Sequence, residues 1–205
     1  MSTKITVDFL VIGSGAAGVC AALYAASEGK AVMLCEKAAK IGGTTALSNA
    51  MIWVPCSDQA AQAGIDDSLE NARTYLRNEL GNYYDDAKIN TYLERGPEAV
   101  RAIEENSEIK FVLAGAPDYH SSQEGGVDKG RALSPVPYDG RKLGKEFNLI
   151  GDPIRVVLGG MMIASSEIKH FLNPFKSTTA MTHVLRRVGR FAIDRLKFSR
   201  GTELS

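Results

Sequence analysis

The feature that most constrains this chain is the glycine pattern Gly13-Ser14-Gly15-Ala16-Ala17-Gly18, set between segments of different character. Val7-Asp8-Phe9-Leu10-Val11-Ile12 before it is a short apolar run that predicts a buried strand. Ala16 to Glu28, mainly Ala with Val19, Leu23 and Tyr24, predicts a helix that stops at Gly29. Ala31 to Glu36 then predicts a second apolar strand. Strand, helix, strand without a hairpin signal is a βαβ unit with parallel strands and a right-handed crossover. The fold class is therefore α/β with a Rossmann-like, dinucleotide-binding start.

Each residue of the pattern has a physical reason. Gly13 permits a tight turn, Gly15 lets backbone N–H groups approach a pyrophosphate with no Cβ in the way, and Gly18 allows close helix–strand packing. Ser14, Ala16 and Ala17 complete the turn, where the helix N-terminus offers unpaired N–H groups and a partial positive charge. Glu36 follows Gly18 by eighteen positions and ends the second strand. There it accepts hydrogen bonds from adenosine ribose hydroxyls and repels a 2′-phosphate, which disfavours NADP. The pattern alone leaves FAD and NAD both open.

Composition excludes several other classes. The 205 residues carry 24 Lys+Arg against 24 Asp+Glu, so no global field draws the chain to nucleic acid or to an anionic membrane. With 44% hydrophobic and 23% charged residues it reads as globular. Cys20, Cys35 and Cys56 form no C-x-x-C pair and join no histidine cluster, so we expect buried thiols, a reducing cytoplasmic setting and no metal. Phe9 to Ala26 is free of charge and follows Lys4, as a signal peptide or membrane span would be. Its Gly-Ser-Gly placement instead splits it into a strand and an Ala-rich helix, with no integral membrane segment.

Beyond Lys40, Ile41-Gly42-Gly43-Thr44-Thr45 predicts a loop opening a helical turn toward Ser48, and Met51-Ile52-Trp53-Val54-Pro55 is strand-like. Between Asp58 and Glu108 twelve acidic residues face five basic ones, and Leu69, Ala72, Leu76 and Leu80, then Ile89, Tyr92 and Leu93, then Val100 and Ile103 keep helical spacing. The acidity belongs to solvated helix faces, and Gly96-Pro97 is expected to divide the last two helices. Ala114 to Asp152 is glycine- and proline-rich and reads as a long functional loop. Apolar segments return from Ile154 to Leu172. Thr178 to Leu196 predicts an amphipathic helix with Val184, Leu185, Val188, Ala192 and Leu196 inward and Arg186, Arg187, Arg190 and Arg195 outward. That basic row is either a solvated face or a phosphate grip.

The spacing Gly13-x-Gly15-x-x-Gly18-x-x-x-Ala22-x-x-Ala25-x-x-x-Gly29-x-x-Val32-x-x-x-Glu36-Lys37, followed by Gly42-Gly43-Thr44-Thr45, resembles the FAD-binding family of fumarate reductase and succinate dehydrogenase flavoproteins. In that family the second glycine loop lies along the pyrophosphate and ribityl chain, a role that Gly42, Gly43, Thr44 and Thr45 inherit by position. Gly43 to Pro55, Pro117-Asp118-Tyr119-His120, Gly125-Gly126, Gly130-Arg131 and Asp139-Gly140-Arg141-x-Leu143-Gly144 are similar to its 3-ketosteroid dehydrogenase branch. Asn49 and Ala50 depart from glycines common in that branch, and Ser121-Ser122 stands in place of Pro-Glu.

The resemblance implies FAD as cofactor, held noncovalently because no histidine occupies the second glycine loop. It implies Ser48 near the flavin ring, unless Ser48 only caps a helix. It also implies dehydrogenation of a carbon next to a ketone, by α-proton abstraction with hydride transfer to FAD. Tyr119 takes the place of a tyrosine that supports the catalytic tyrosine by hydrogen bonding, unless it is simply an exposed loop tyrosine. A phenol of ordinary pKa about 10 acts as a base near neutrality only with such help. His120, His170 and His183 are scattered and suit surface or packing roles.

The resemblance runs to Arg200-Gly201-Thr202, and family members are well over twice this length. We therefore expect an incomplete FAD-binding domain over 1–205, with the βαβ unit and flavin loop in 1–57 and a helical and loop extension in 58–205. The catalytic domain and C-terminal FAD-domain segment are absent, so these residues alone should bind FAD weakly and turn nothing over. Two alternatives stand beside the steroid-like ketone: a dicarboxylate enzyme, and a non-catalytic module that needs a partner chain.

Overall fold

The computed structural model describes residues 4–151, 161, 163, 167–198 and 203–204. The opening segment folds as its pattern predicts. β1 (Phe9–Ile12) leads into α1 (Ala16–Ser27), and β2 (Val32–Cys35) runs parallel to β1 with Phe9 opposite Val32 and Ile12 opposite Cys35. α1 closes in a Schellman motif: Gly29 takes φ 74°, its N–H donates to the Ala26 carbonyl at 2.9 Å, and the Lys30 N–H donates to the Ala25 carbonyl at 3.1 Å.

Downstream come α2 (Gly43–Leu47), β3 (Ile52–Trp53), α3 (Asp58–Gln62), α4 (Leu69–Leu80), α5 (Asp86–Asn106), β4 (Phe111–Leu113), β5 (Ala132–Pro135) and β6 (Tyr138–Asp139). A 3-10 stretch over Gly140–Leu149, α6 (Ile168–Leu172), α7 (Thr178–Phe198) and β7 (Glu203–Leu204) follow. The chain separates into two compact units, one of residues 1–22, 32–49 and 137–205, the other of residues 23–31 and 50–136.

The second unit has the better-formed core. β3, β5 and β4 make an antiparallel sheet in that order, with Leu133 of β5 opposite both Ile52 and Leu113. Leu133 is fully buried with Val54 and Val100, flanked by Ile52, Phe111 and Leu113. Ser57, Ser68 and Asp85 cap α3, α4 and α5 by accepting the N–H of Ala60, Asn71 and Lys88. Ala60, Ala72, Tyr75, Leu93 and Val100 face inward. Arg73–Glu70, Arg95–Glu98 and Arg101–Asp58 pair on the outside, as expected of solvated acidic helix faces.

Several expectations need correcting. Gly96-Pro97 does not divide two helices: α5 is continuous, with Pro97 inside it. Gly96 has no Cβ to meet the proline ring, and a Cβ there would stand 3.2 Å from the Val54 side chain. Leu93 and Val100, on either side of Pro97, are both buried and hold the helix against one core. The expected loop from Ala114 onward contains β5 and β6, whose partners lie too far along the chain for a local pattern to reveal. The apolar run from Ile154 falls mostly outside the described residues, and its end forms α6.

β1 has the composition of a buried strand but is largely exposed, with Phe9 at 51% and Ile12 at 82%. Among the described residues only β2 pairs with it, and a two-stranded parallel sheet cannot cover its own faces. The cysteines are all free, yet none is buried: Cys35 is exposed, and Cys20 and Cys56 are half-buried. α7 is a helix as predicted, with Arg186 and Arg195 exposed as expected but the rest of its facing largely reversed. Leu185, Val188 and Leu196 are exposed, while Arg187 is buried and Arg190 is half-buried. Acidic partners explain the reversal, since Arg187 meets Glu167 at 3.0 Å and Arg190 meets Asp139 at 2.6 Å.

Candidate functional site

The site assembles in the first unit, where β1 hands over to α1. Gly13 takes φ 101°, and its N–H donates to the Cys35 carbonyl at 2.7 Å, which ties the turn to the end of β2. A Cβ on Gly18 would stand 1.9 Å from the Gly13 carbonyl oxygen, so helix and turn meet there as closely as the glycine pattern implies. Above Gly13 and Gly15 there is nothing within 4 Å of where a Cβ would sit. Open space therefore lies over the first turn of α1, whose N–H groups have no intrahelical acceptors. Open backbone at a helix N-terminus suits an anionic group.

Ser14 organises the rest. It is buried, and both its N–H, at 2.9 Å, and its hydroxyl, at 2.5 Å, donate to Glu36 Oε2. The Ala38 N–H donates to Glu36 Oε1 at 2.9 Å. That Ala38 bond first, then the two from Ser14, hold the Glu36 carboxyl down at about 2, so it is ionised at any ordinary pH. The Ser14 hydroxyl in turn accepts the Gly42 N–H at 2.9 Å. Thr45 Oγ1 accepts the Ala16 N–H at 3.2 Å.

The second glycine loop thereby lies against the first. Gly42 takes φ 105°, where a Cβ would stand 2.5 Å from that of Ala46, and a Cβ on Gly43 would be 3.4 Å from the Gly15 Cα. Ile41 bridges in parallel to Ile150, its N–H donating to the Leu149 carbonyl at 2.7 Å, and the Lys40 ammonium donates to the Asn148 carbonyl. Ser48 ends α2, with its N–H on the Thr44 and Thr45 carbonyls and its hydroxyl donating to the Thr45 carbonyl.

The structure thus brings together Gly13, Ser14, Gly15, Ala16, Ala17, Gly18, Glu36, Gly42, Gly43, Thr44, Thr45 and Ser48, with Lys37 exposed beside Glu36. Tyr119 belongs to the other unit and is 99% exposed. Sequence reasoning missed the part of Ser14 as the link between the two glycine loops, which no spacing reveals. It also missed the 3-10 stretch that backs Ile41, more than a hundred residues away. On α7, a groove of about 540 Å³ is lined by Arg141, His183, Arg187 and Arg190. Asp194 takes the Arg141 guanidinium at 2.6 Å, and Glu167 takes His183 Nε2 at 2.9 Å. The basic row thus has its acids in place. Among the described residues no group of His, Cys, Asp and Glu could hold a metal, and no helix is long and apolar enough to cross a membrane.

A parallel βαβ unit, an open glycine turn, an ionised acid at the end of β2 and a second glycine loop against the first define a dinucleotide-binding domain of flavoprotein type. The chain belongs to the FAD-binding domain family, which it matches over residues 8–193. It is 36% identical to a 3-oxosteroid 1-dehydrogenase of Mycolicibacterium smegmatis, over 78% of this chain and 28% of that protein. It is 35% identical to a 4-oxocyclohex-2-ene-1-carboxylate 5-dehydrogenase of Sinomonas cyclohexanicum, over 96% of this chain and 33% of that one. The crystal structure of 3-ketosteroid Δ1-dehydrogenase from Sterolibacterium denitrificans with 1,4-androstadiene-3,17-dione superposes with a TM-score of 0.81 at 29% identity. That match covers 97% of this chain and 36% of that one. The chain spans about a third of the length of these relatives. It is an FAD-binding chain related to the 3-ketosteroid dehydrogenases.

Proposed function

We propose that this chain is the cofactor-binding front of a flavoenzyme that desaturates a carbon–carbon bond beside a ring ketone, with a 3-ketosteroid-like substrate. The observation that carries the reading is the two abutting glycine loops, joined through Ser14 to an ionised Glu36. The first-turn N–H groups from Gly15 to Ala17 receive the pyrophosphate, that of Ala16 in exchange for Thr45 Oγ1, and Glu36 receives the ribose hydroxyls in exchange for the Ser14 hydroxyl. Gly42 to Thr45 line the ribityl chain, and Ser48 reaches toward the ring system. FAD, bound noncovalently, supplies the hydride acceptor. Tyr119 supports, by hydrogen bonding, a catalytic tyrosine contributed from outside this chain.

Anaerobic titration of the full-length polypeptide tests this reading. A 3-ketosteroid is expected to bleach the flavin absorbance. Reoxidation of the reduced flavin by fumarate, with no response to the steroid, would assign the dicarboxylate alternative instead. The likeness to the Sinomonas enzyme across 96% of this chain favours a second substrate in the same reaction class, a monocyclic oxocyclohexene carboxylate. Bleaching by that compound and not by the steroid would select it.

A further inference from the structure

The second unit contains a buried charged cluster that the cofactor site does not use. Arg131 is 1% exposed, and its guanidinium is shared between two carboxylates that are themselves buried. Nε and Nη2 donate to Asp67 at 2.8 and 2.7 Å, and Nη1 donates to Asp118 Oδ2 at 2.8 Å. The cation lies 5.5 Å from the centre of the Trp53 ring and 5.7 Å from that of Tyr75. Asp118 has further partners. Its Oδ1 accepts Trp53 Nε1 at 2.7 Å, its Oδ2 accepts the Val127 N–H at 3.2 Å, and its own N–H donates to the Val127 carbonyl at 3.0 Å.

The next residue along the chain is Tyr119. Asp118 is 6% exposed and Tyr119 is 99% exposed, so the chain turns from the interior to solvent in one step. Beyond Tyr119 the loop is held again. His120 Nδ1 and Gln123 Nε2 each meet Glu79 Oε1 at 2.6 Å. Gly125, at φ 79°, lies so close to α4 that a Cβ would stand 2.4 Å from the Asn71 carbonyl oxygen. A loop held on both sides of one solvent-facing tyrosine fixes the backbone from which that side chain projects, and so the direction of its Cα–Cβ bond.

We propose that the buried Asp67–Arg131–Asp118 cluster, with the Trp53 indole N–H, is a positioning device that fixes the direction in which Tyr119 is presented. The proposal rests on the reading of Tyr119 given above, and its test separates the two. Asp118→Asn removes the charge opposite Arg131 at nearly constant shape. Trp53→Phe removes the indole donor to Asp118 and leaves a smaller ring beneath Arg131, while both carboxylate contacts to Arg131 keep their partners.

In the full-length flavoenzyme, Asp118→Asn is expected to lower kcat about 10- to 100-fold, with KM changed less than about threefold. Trp53→Phe should follow with a smaller loss. Tyr119→Phe should cost at least as much as Asp118→Asn, and Asp118→Asn added to Tyr119→Phe should cost almost nothing further, because both act through one phenol. Multiplying effects would overturn the proposal. Unchanged kcat in Tyr119→Phe would instead refute the role of Tyr119 in the reaction. The positioning is then judged by the 19F resonance of 3-fluorotyrosine at position 119, expected to shift or broaden in both Asp118→Asn and Trp53→Phe. An unmoved resonance would overturn it.

Discussion

Glu36 shows how much one side chain can carry when its donors are fixed. Its pKa of about 2 lies below the ordinary 4.5 because bound N–H and O–H groups favour the carboxylate. The stability it contributes is therefore fully present above about 4.5 and is lost as pH falls through about 2. Acid unfolding of Glu36→Gln should lack this component, which a pH-dependent urea titration would reveal. FAD affinity in Glu36→Gln should fall about 10- to 100-fold, since an amide has one acceptor oxygen where the two backbone N–H donors and the ribose hydroxyls need two; fluorescence titration measures it. Ala50, at φ 50°, retains the left-handed backbone that a glycine holds without strain. Ala50→Gly should stabilise the chain by about 0.5–1 kcal/mol in denaturant unfolding, the relief of that strain less the extra chain entropy. At Arg131 the sign reverses: Arg131→Met leaves two carboxylates buried without their cation and should cost about 3–5 kcal/mol.

α5 and α7 separate what a pattern specifies from what packing decides. In α5 the apolar spacing was legible, but not whether Gly96-Pro97 ends the helix. Continuity depends on the close approach of Gly96 to Val54 and on burial of Leu93 and Val100 on the same side. Pro97 lacks an N–H and so leaves the Leu93 carbonyl without its helical donor. Pro97→Ala should then raise stability by about 1–3 kcal/mol, read from the shift in denaturant midpoint. In α7 the spacing marked the right helix and misjudged its orientation. An apolar stripe and a basic stripe are both regular, and which one turns inward depends on Asp139, Asp194 and Glu167 standing where Arg187 and Arg190 can meet them. The βαβ unit was legible in full, because its strands, turn and helix lie within thirty consecutive residues and interact locally.

For the molecule as a whole, the chain spans about a third of its relatives and leaves apolar surface in contact with water. Phe9, Leu10 and Ile12 of β1 and Leu185, Val188 and Leu196 of α7 are all exposed. Large apolar side chains exposed in rows of that kind are uncommon on self-sufficient domains. The 205-residue chain studied alone should bind a hydrophobic dye strongly and hold FAD weakly, with no turnover of a ketosteroid. Stoichiometric yellow FAD with steroid dehydrogenase activity would overturn that expectation.

The sequence by itself determined the parallel βαβ start, the glycine cradle and the acid beside it, because each depends on short-range geometry: a positive φ, the absence of a Cβ, a helix N-terminus following a strand. Tertiary structure alone decided that Ser14 links Glu36 to Gly42, that Ile150 backs Ile41, that α7 turns Arg187 and Arg190 inward, and that Asp118 is buried while Tyr119 is exposed. Those outcomes join residues far apart in the chain. The free energy of burying a charge or an apolar side chain depends on which partner arrives, and no local pattern records that arrival.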